Sequence, residues 1–397
     1  MTTTQELAKN WEELMIGNYG TPTIALARGE GSYVWDVEGK KYLDLLGGIA
    51  VSVLGHAHPK IVDAISNQAK LLIHTSNLYI HETELEVAQK LKQLFASDCK
   101  IFFCQDGATA NEAALKLVRK FGFAKKPDGS KQVIVAMNNG FHGRTAGALS
   151  ITGNPSKRDP FGPFGYEVRF VEFNNLDSLN SVMSDEVAAI FVEPVQGEGG
   201  MNVGSTEFLQ ACEAAARKHN ALLVVDEVQS GVGRTGTFFN FTQHNLSPDI
   251  VTLAKGLAGG LPIGALLAKP EVAAHFAAGD HGSTFGGNPI STAAANAVIN
   301  EVSALNFQNA VRDNADWLAA EIQNLNLPQI ASIRFSGLWF GIELTKDAAS
   351  EIVKKAAELG FLINAVKPNV IRLAPPLNIS RDDLKIFIDL LPELVNV

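Results

Sequence analysis

Between Ala221 and Gly260 the chain reads ALLVVDEVQSGVGRTG, a spacer, then PDIVTLAKGLAGG. Two apolar runs rich in Val, Ile and Leu end on charged residues, Asp226 in the first and Lys255 in the second. Each run is short and bounded by Gly, Pro or Asn, which predicts strands buried on both faces. The same texture begins at residue 133. VIVAM precedes NGFHGRT, AAIFVEP precedes QGEGG, the helical TEFLQACEAAARKHN precedes ALLVVDE, and IVTLAK and IGALLAK follow. Alternation of this kind predicts an α/β protein with a mostly parallel sheet and helices on both faces.

The flanks read differently. Residues 1–50 start with a helix-like segment and continue as two strand-like pieces, TIALARG and SYVWDVEGKKYLDLL. In LGHAHPKIVDAISNQAKLL, Ile61, Ala64, Ile65, Ala69 and Leu72 share one helical face behind a loop holding His56, His58 and Pro59. No Cys or acid completes a metal set with these two histidines, so they read as loop residues. ELEVAQKLKQLF is an amphipathic helix and KIFFCQ a short strand. DGATANEAALKLVRKFG enters a helix with Ala114, Leu115, Val118 and Phe121 on its apolar stripe and Asp106 as its N-cap. After Pro289 come long helical stretches, then IRFSGLWFGIELT, a helix near Ala348 to Leu359, VIRLAPP and a final helix. The expected organisation is a large domain over 51–289 and a small α+β domain built from 1–50 and 290–397.

Composition narrows the function classes. The chain has 397 residues, 46% hydrophobic and 19% charged, with a net charge of −9 and no dense Lys/Arg run, which argues against a nucleic-acid surface. Cys99, Cys104 and Cys212 are odd in number and lack metal-ligand spacing, so reduced buried thiols are expected and a metal is not. MTTTQELAKNWEEL does not have the form of a signal peptide, and no apolar run reaches membrane-spanning length. A cytoplasmic, soluble protein is expected.

In an open parallel sheet, functional residues gather beyond the carboxyl ends of the strands. Asp226 and Lys255 are therefore delivered to one rim. One reading is a snorkelling lysine or a structural ion pair. The other is pyridoxal 5'-phosphate (PLP), which needs a lysine to anchor it and an acid to keep its pyridine nitrogen protonated. PLP also needs a phosphate cradle, and the helix start after Asp106 offers free N–H groups for one.

With these residues assembled, the chain resembles the class III aminotransferases, of fold-type I PLP architecture, over essentially its whole length. The resemblance rests on GIAVSVLGHAHP, NEAALKLVRK, GFHGRTAGALS, VEPVQGEGG, VVDEVQSGVGRTG, TLAKGLAGGLPIGA and GSTFGGNP, in that order. It most resembles the members that serve arginine biosynthesis by moving the δ-amino group of N2-acetylornithine to 2-oxoglutarate. The resemblance implies that Lys255 anchors the cofactor and shuttles the proton, with Asp226 facing the pyridine nitrogen and Gln229 near the ring hydroxyl. Phe141 would stack on the ring, Gly107 and Ala108 would give backbone donors to the phosphate, and Thr284 would reach the phosphate of the other subunit in a homodimer. For the substrates it implies Arg144, with Tyr19, as carboxylate binder, Ser283 as a contact, and Arg372 as receiver of an α-carboxylate. Glu198 would mask Arg372 during the ω-amine half-reaction.

One departure stands out. The family's Asn-Ser-Gly-Thr/Ala-Glu-Ala-Asn-Glu is here Gln105-Asp106-Gly107-Ala108-Thr109-Ala110-Asn111-Glu112. An acid replaces a hydroxyl donor, and the expectation is weaker phosphate binding. Other ω-amine donors stay open: ornithine, 4-aminobutyrate, succinylornithine and N-succinyl-diaminopimelate. Ile49 stands where ornithine aminotransferases usually carry a tyrosine, and an apolar residue suits an acylated or absent α-amine, since a buried unpaired ammonium is costly. A PLP decarboxylase or aminomutase, which would not need two carboxylate-binding arginines, and a non-catalytic PLP-binding protein are the readings from other classes.

Overall fold

Seven strands make the central sheet, and their order explains how distant residues meet. In the computed structural model, which describes residues 3–95 and 97–396, the order is Lys100–Cys104, Gly264–Ala268, Ile250–Leu253, Leu222–Asp226, Val187–Val192, Val133–Met137, Val168–Val171. Most neighbours pair in parallel. Gly264–Ala268 runs antiparallel to both its neighbours, because the chain turns back through Gly259 and Gly260, both at positive φ.

VIVAM, VAAIFV, LLVVD, IVTL and GALLA are buried along their whole length. A strand covered on both faces has no polar side to alternate with, which is why these runs are continuously apolar. Gly107–Lys125 crosses one face as a 19-residue helix. At Gly122 this helix passes so close to a neighbouring segment that a Cβ would lie 2.0 Å from the Lys131 carbonyl oxygen.

SYVWDVEGKKYLDLL forms two strands instead of one, Tyr33–Asp36 and Lys41–Asp44. The break lies where the Asp36 carboxylate accepts the N–H groups of Glu38 (3.0 Å) and Lys40 (2.8 Å) and closes a turn. Lys41–Asp44 pairs in parallel with Phe361–Leu362, so the first fifty residues share a sheet with the C-terminal segment. A separate antiparallel sheet runs Ile330–Phe335, Phe340–Leu344, Val370–Leu373, Asn364–Lys367 and carries Arg372. Among the described residues no helix is long and apolar enough to cross a membrane, and no cluster of His, Cys, Asp or Glu could hold a metal. The three cysteines are free and buried, and burial raises their thiol pKa values.

Candidate active site

A cavity of about 570 Å³ opens at the carboxyl ends of the central strands, within the size range of small-molecule sites. Gly107, Ala108, Phe141, Arg144, Asp226, Gln229 and Lys255 all line it. Asp226 ends one strand and Lys255 follows its neighbour, and parallel register of the two strands brings both to one rim.

Asp226 is buried and held from several sides. Asn111 Nδ2 donates to its Oδ2 at 2.8 Å, His142 Nδ1 lies 2.7 Å from the same oxygen, and the Val228 N–H donates to Oδ1 at 3.0 Å. Asn111 is fixed in turn by Thr252, whose hydroxyl donates to Asn111 Oδ1 at 3.0 Å. The carboxylate is thus aligned before any ligand arrives. Lys255 sits in the left-handed region (φ 45°) at the start of a short 3-10 turn. Burial, reinforced by the Arg372 charge, pulls its amine down to about 8. An amine held there can shed its proton near neutral pH and act as nucleophile or base.

The helix start supplies the anion cradle. Asp106 is the N-cap, and its carboxylate accepts the Thr109 N–H at 2.8 Å, while its own N–H donates to Thr109 Oγ1 at 3.1 Å. The first N–H groups of a helix have no partner within it. Thr109 is satisfied by the cap, which leaves Gly107 and Ala108 at the cavity wall. Asp106 Oδ1 therefore serves the helix, while the residue also lines the cavity beside Gly107 and Ala108. Gly107 carries no Cβ because one would lie 2.6 Å from Val228 Cγ1.

Arg372 is buried, and Glu198 meets it at 2.6 Å, with Asn364 Oδ1 accepting from Arg372 Nε at 3.1 Å. Burial alone would raise the Glu198 pKa, but the Arg372 charge and hydrogen bond hold it below the usual range. At the outer end, the Arg144 guanidinium lies 5.5 Å and Lys157 Nζ 6.0 Å from the Phe141 ring centroid. Neither cation has a carboxylate partner among the described residues.

Five expected residues do not line the cavity of a single chain: the Glu198–Arg372 pair, Tyr19, Ser283 and Thr284. Tyr19 and Thr284 are exposed, and Ser283 Oγ accepts the Gly286 N–H at 2.9 Å. Asn111, His142, Glu193 and Lys157 are at the site without having been singled out in the sequence. Glu193 is fully enclosed and accepts the Phe141 N–H at 2.8 Å. Burial and the Asp226 charge raise its pKa well above the carboxylate range. It ends a buried strand just as Asp226 does, and that pattern was the available signal.

These residues fit PLP. The cradle suits a phosphate, the aligned Asp226 suits a ring nitrogen, and Gln229, whose Oε1 is buried without a partner, lines the same cavity. Fold and site together define a PLP-dependent aminotransferase. The class-III aminotransferase profile matches residues 16–395, and the chain belongs to that family.

Among its relatives, acetylornithine aminotransferase of Mycobacterium tuberculosis is 45% identical over 397 residues, covering all of this chain and 97% of that enzyme. That of Streptomyces coelicolor is 43% identical over 393 residues, covering 99% and 96%. Among solved structures, ornithine aminotransferase of Toxoplasma gondii superimposes with a TM-score of 0.94 at 30% identity, covering 100% and 95%. N-acetylornithine aminotransferase of Stenotrophomonas maltophilia gives 0.84 at 34% identity, covering 96% and 97%.

Proposed function

We propose that this enzyme transfers the δ-amino group of N2-acetylornithine to 2-oxoglutarate, giving N-acetylglutamate 5-semialdehyde and glutamate, as a cytoplasmic homodimer. The observation that carries the reading is the pairing of buried Arg372 with half-buried Glu198 within the field of Lys255. An ω-amine donor has no carboxylate on its reacting carbon, so an arginine there is best neutralised. The keto acid does have one, and a glutamate that moves aside exposes a guanidinium for it. Full-length identity of 43–45% to enzymes named acetylornithine aminotransferase supports the acylated donor, as does the apolar Ile49.

PLP supplies the electron sink for carbanion chemistry. Lys255, with Asp226, Gln229, Phe141 and the Gly107 and Ala108 N–H groups, would hold it. Lys255, once released as a free amine, would be the base that carries the proton of the donor's reacting carbon through a 1,3-shift. Asp226 would keep the ring nitrogen protonated. Arg144 and Lys157 receive the outer carboxylate of either substrate. A dimer is in keeping with the exposure of the large apolar side chains Leu14, Ile16, Leu78, Ile80 and Phe285. In it, Thr284, Ser283 and Tyr19 would complete the partner's site.

A panel of amine donors with 2-oxoglutarate tests the reading. Acetylornithine should lead ornithine and 4-aminobutyrate by about tenfold or more in kcat/KM. A lead for ornithine or a succinylated donor would overturn it.

A further inference from the structure

Among the described residues, Trp339 is the largest fully buried side chain, and its indole N–H has no partner. A buried tryptophan usually finds an acceptor for that N–H, so this one is held by packing alone. It stands just before the Phe340–Leu344 strand, in which Gly341 lies directly opposite Arg372. Residues directly opposite share one face of a sheet, as do residues two apart along a strand. That face meets the hairpin tip that carries Glu198. Gly341 has no Cβ because one would lie 2.6 Å from Met201 Cβ, and Trp339 packs with Val195, Met201 and Ala374.

The closest approach is at Gly197, the neighbour of Glu198. A Cβ there would lie 2.2 Å from Trp339 Cζ2 and 2.7 Å from Cη2. Gly197 does not have a left-handed φ, so its missing side chain answers to the indole and not to the turn. The rest of the tip is pinned. Gln196 and Asn202 pair across it, Gln196 Nε2 donates to the Asn138 carbonyl at 2.8 Å, and Arg334 Nε donates to the Gly200 carbonyl at 3.1 Å. The tryptophan is fixed from its other side. Arg234, buried in the loop that follows the Asp226 strand, donates from Nη1 to the carbonyls of Leu338 at 3.0 Å and Pro375 at 2.6 Å. It thereby clips the paired segments that lead to Trp339 and away from Arg372, which holds the indole against the tip.

We propose that Trp339 is a positioning residue whose indole, pressed on Gly197, sets where Glu198 stands against Arg372 and so how readily that arginine is unmasked. The inference rests on the reading of Glu198 as the mask of Arg372 in the amine-donor half-reaction. A charge-assisted hydrogen bond of 2.6 Å depends on exact placement of both partners. With a rigid ring beneath its neighbour, Glu198 can leave Arg372 only by turning its side chain, and it returns to the same place. With the ring removed, the tip settles into the space left behind and carries Glu198 away from the guanidinium. Arg372 is then open to an α-carboxylate even while the amine donor is bound.

The test uses holoenzymes of Trp339→Leu, Gly197→Ala and Glu198→Ala, with two double variants that combine Trp339→Leu with each of the others. The readout is the ratio of single-turnover rates with glutamate and with acetylornithine. Trp339→Leu should raise that ratio about three- to tenfold. Gly197→Ala should raise it by a similar factor, because the added methyl lifts the tip off the indole. Combining the two should bring the ratio back to within about twofold of wild type, since the methyl takes up space the ring vacated. In the Glu198→Ala background, Trp339→Leu should move the ratio by less than about twofold, because no carboxylate is left to position. Lower melting temperature is expected of Trp339→Leu whatever its role; the ratio and its rescue are not. Equal losses in both half-reactions would overturn the proposal, as would an equal effect of Trp339→Leu with and without Glu198. If Trp339→Leu fails to fold, an unchanged ratio in Gly197→Ala overturns it. An unchanged ratio in Glu198→Ala would instead defeat the masking reading itself, and this inference with it.

Discussion

Asp106 and Thr109 cap the phosphate-facing helix with their usual roles exchanged. The acid is at the N-cap and the hydroxyl at the third position, and each side chain receives the other's N–H, at 2.8 and 3.1 Å. The familiar box places the hydroxyl first and the acid third. The swap conserves both hydrogen bonds and the negative charge near the helix start, so it is close to neutral for the fold.

Asp106→Ala should therefore destabilise the apoenzyme by about 0.5–2 kcal/mol, the worth of a lost cap. Asp106→Ser should change PLP affinity by less than about threefold, since serine caps as well as aspartate and Oδ1 is engaged by Thr109. Apoenzyme melting and PLP titration check both. A tenfold gain in affinity for the serine variant would mean that the Asp106 charge does reach the phosphate.

The lowered pKa of Lys255 has a kinetic consequence. Only the neutral amine attacks an aldehyde. With a value of about 8, roughly a tenth of the amine is neutral at pH 7 and half at pH 8. The rate of borohydride-trappable PLP capture by apoenzyme should rise about fivefold between pH 7 and 8 and level off above pH 9. A lysine of ordinary pKa, near 10.4, would still be climbing about tenfold per pH unit at pH 9. Stopped-flow mixing across this range separates the two, and a continued climb would remove the argument for an activated amine.

Asp226 and Lys255 were legible because a charge at the end of a buried apolar run has few structural reasons to be there. The same rule also points to Glu193, which ends AAIFV. Asn111 was hidden: it lies in an Ala-rich helix, and only the fold shows that its amide turns inward to Asp226. Arg372 and Glu198 are 174 residues apart, and no periodicity links them; the family resemblance did. The parallel texture was readable, but the reversed direction of Gly264–Ala268 was not, since buried parallel and antiparallel strands carry the same composition.

Breaking the Glu198–Arg372 pair should shift the enzyme between its two half-reactions. Glu198→Ala leaves the Arg372 guanidinium free for an α-carboxylate and exposes the ω-amine donor to an unneutralised cation. The ratio of glutamate to acetylornithine half-reaction rates should rise by roughly one to two powers of ten, equal to about 1.4–3 kcal/mol. Single-turnover kinetics from each direction measure this, and an unchanged ratio would count against a switch.

Asn111 offers the sharpest test of how Asp226 is held. It is fully buried, donates to Asp226 and to the His142 carbonyl, and accepts from Thr252. Asn111→Leu orphans those groups, at a cost of about 1–3 kcal/mol for each one left buried and unsatisfied. Asn111→Asp should be worse at neutral pH, because it sets a second carboxylate against Asp226 where water cannot screen them. Repulsion and burial raise the folded-state pKa of the pair above the value of about 4 that an unfolded aspartate shows. The folded variant then binds more protons than the unfolded chain between those two values. Its stability relative to wild type is accordingly greatest below about pH 4 and falls as pH rises through the folded pKa. Chemical denaturation of the two apoenzymes between pH 5 and 8 should show a gap that widens with pH and then levels off. A gap independent of pH would mean that the new carboxylate turns away from Asp226 and that Asn111 is only a packing residue.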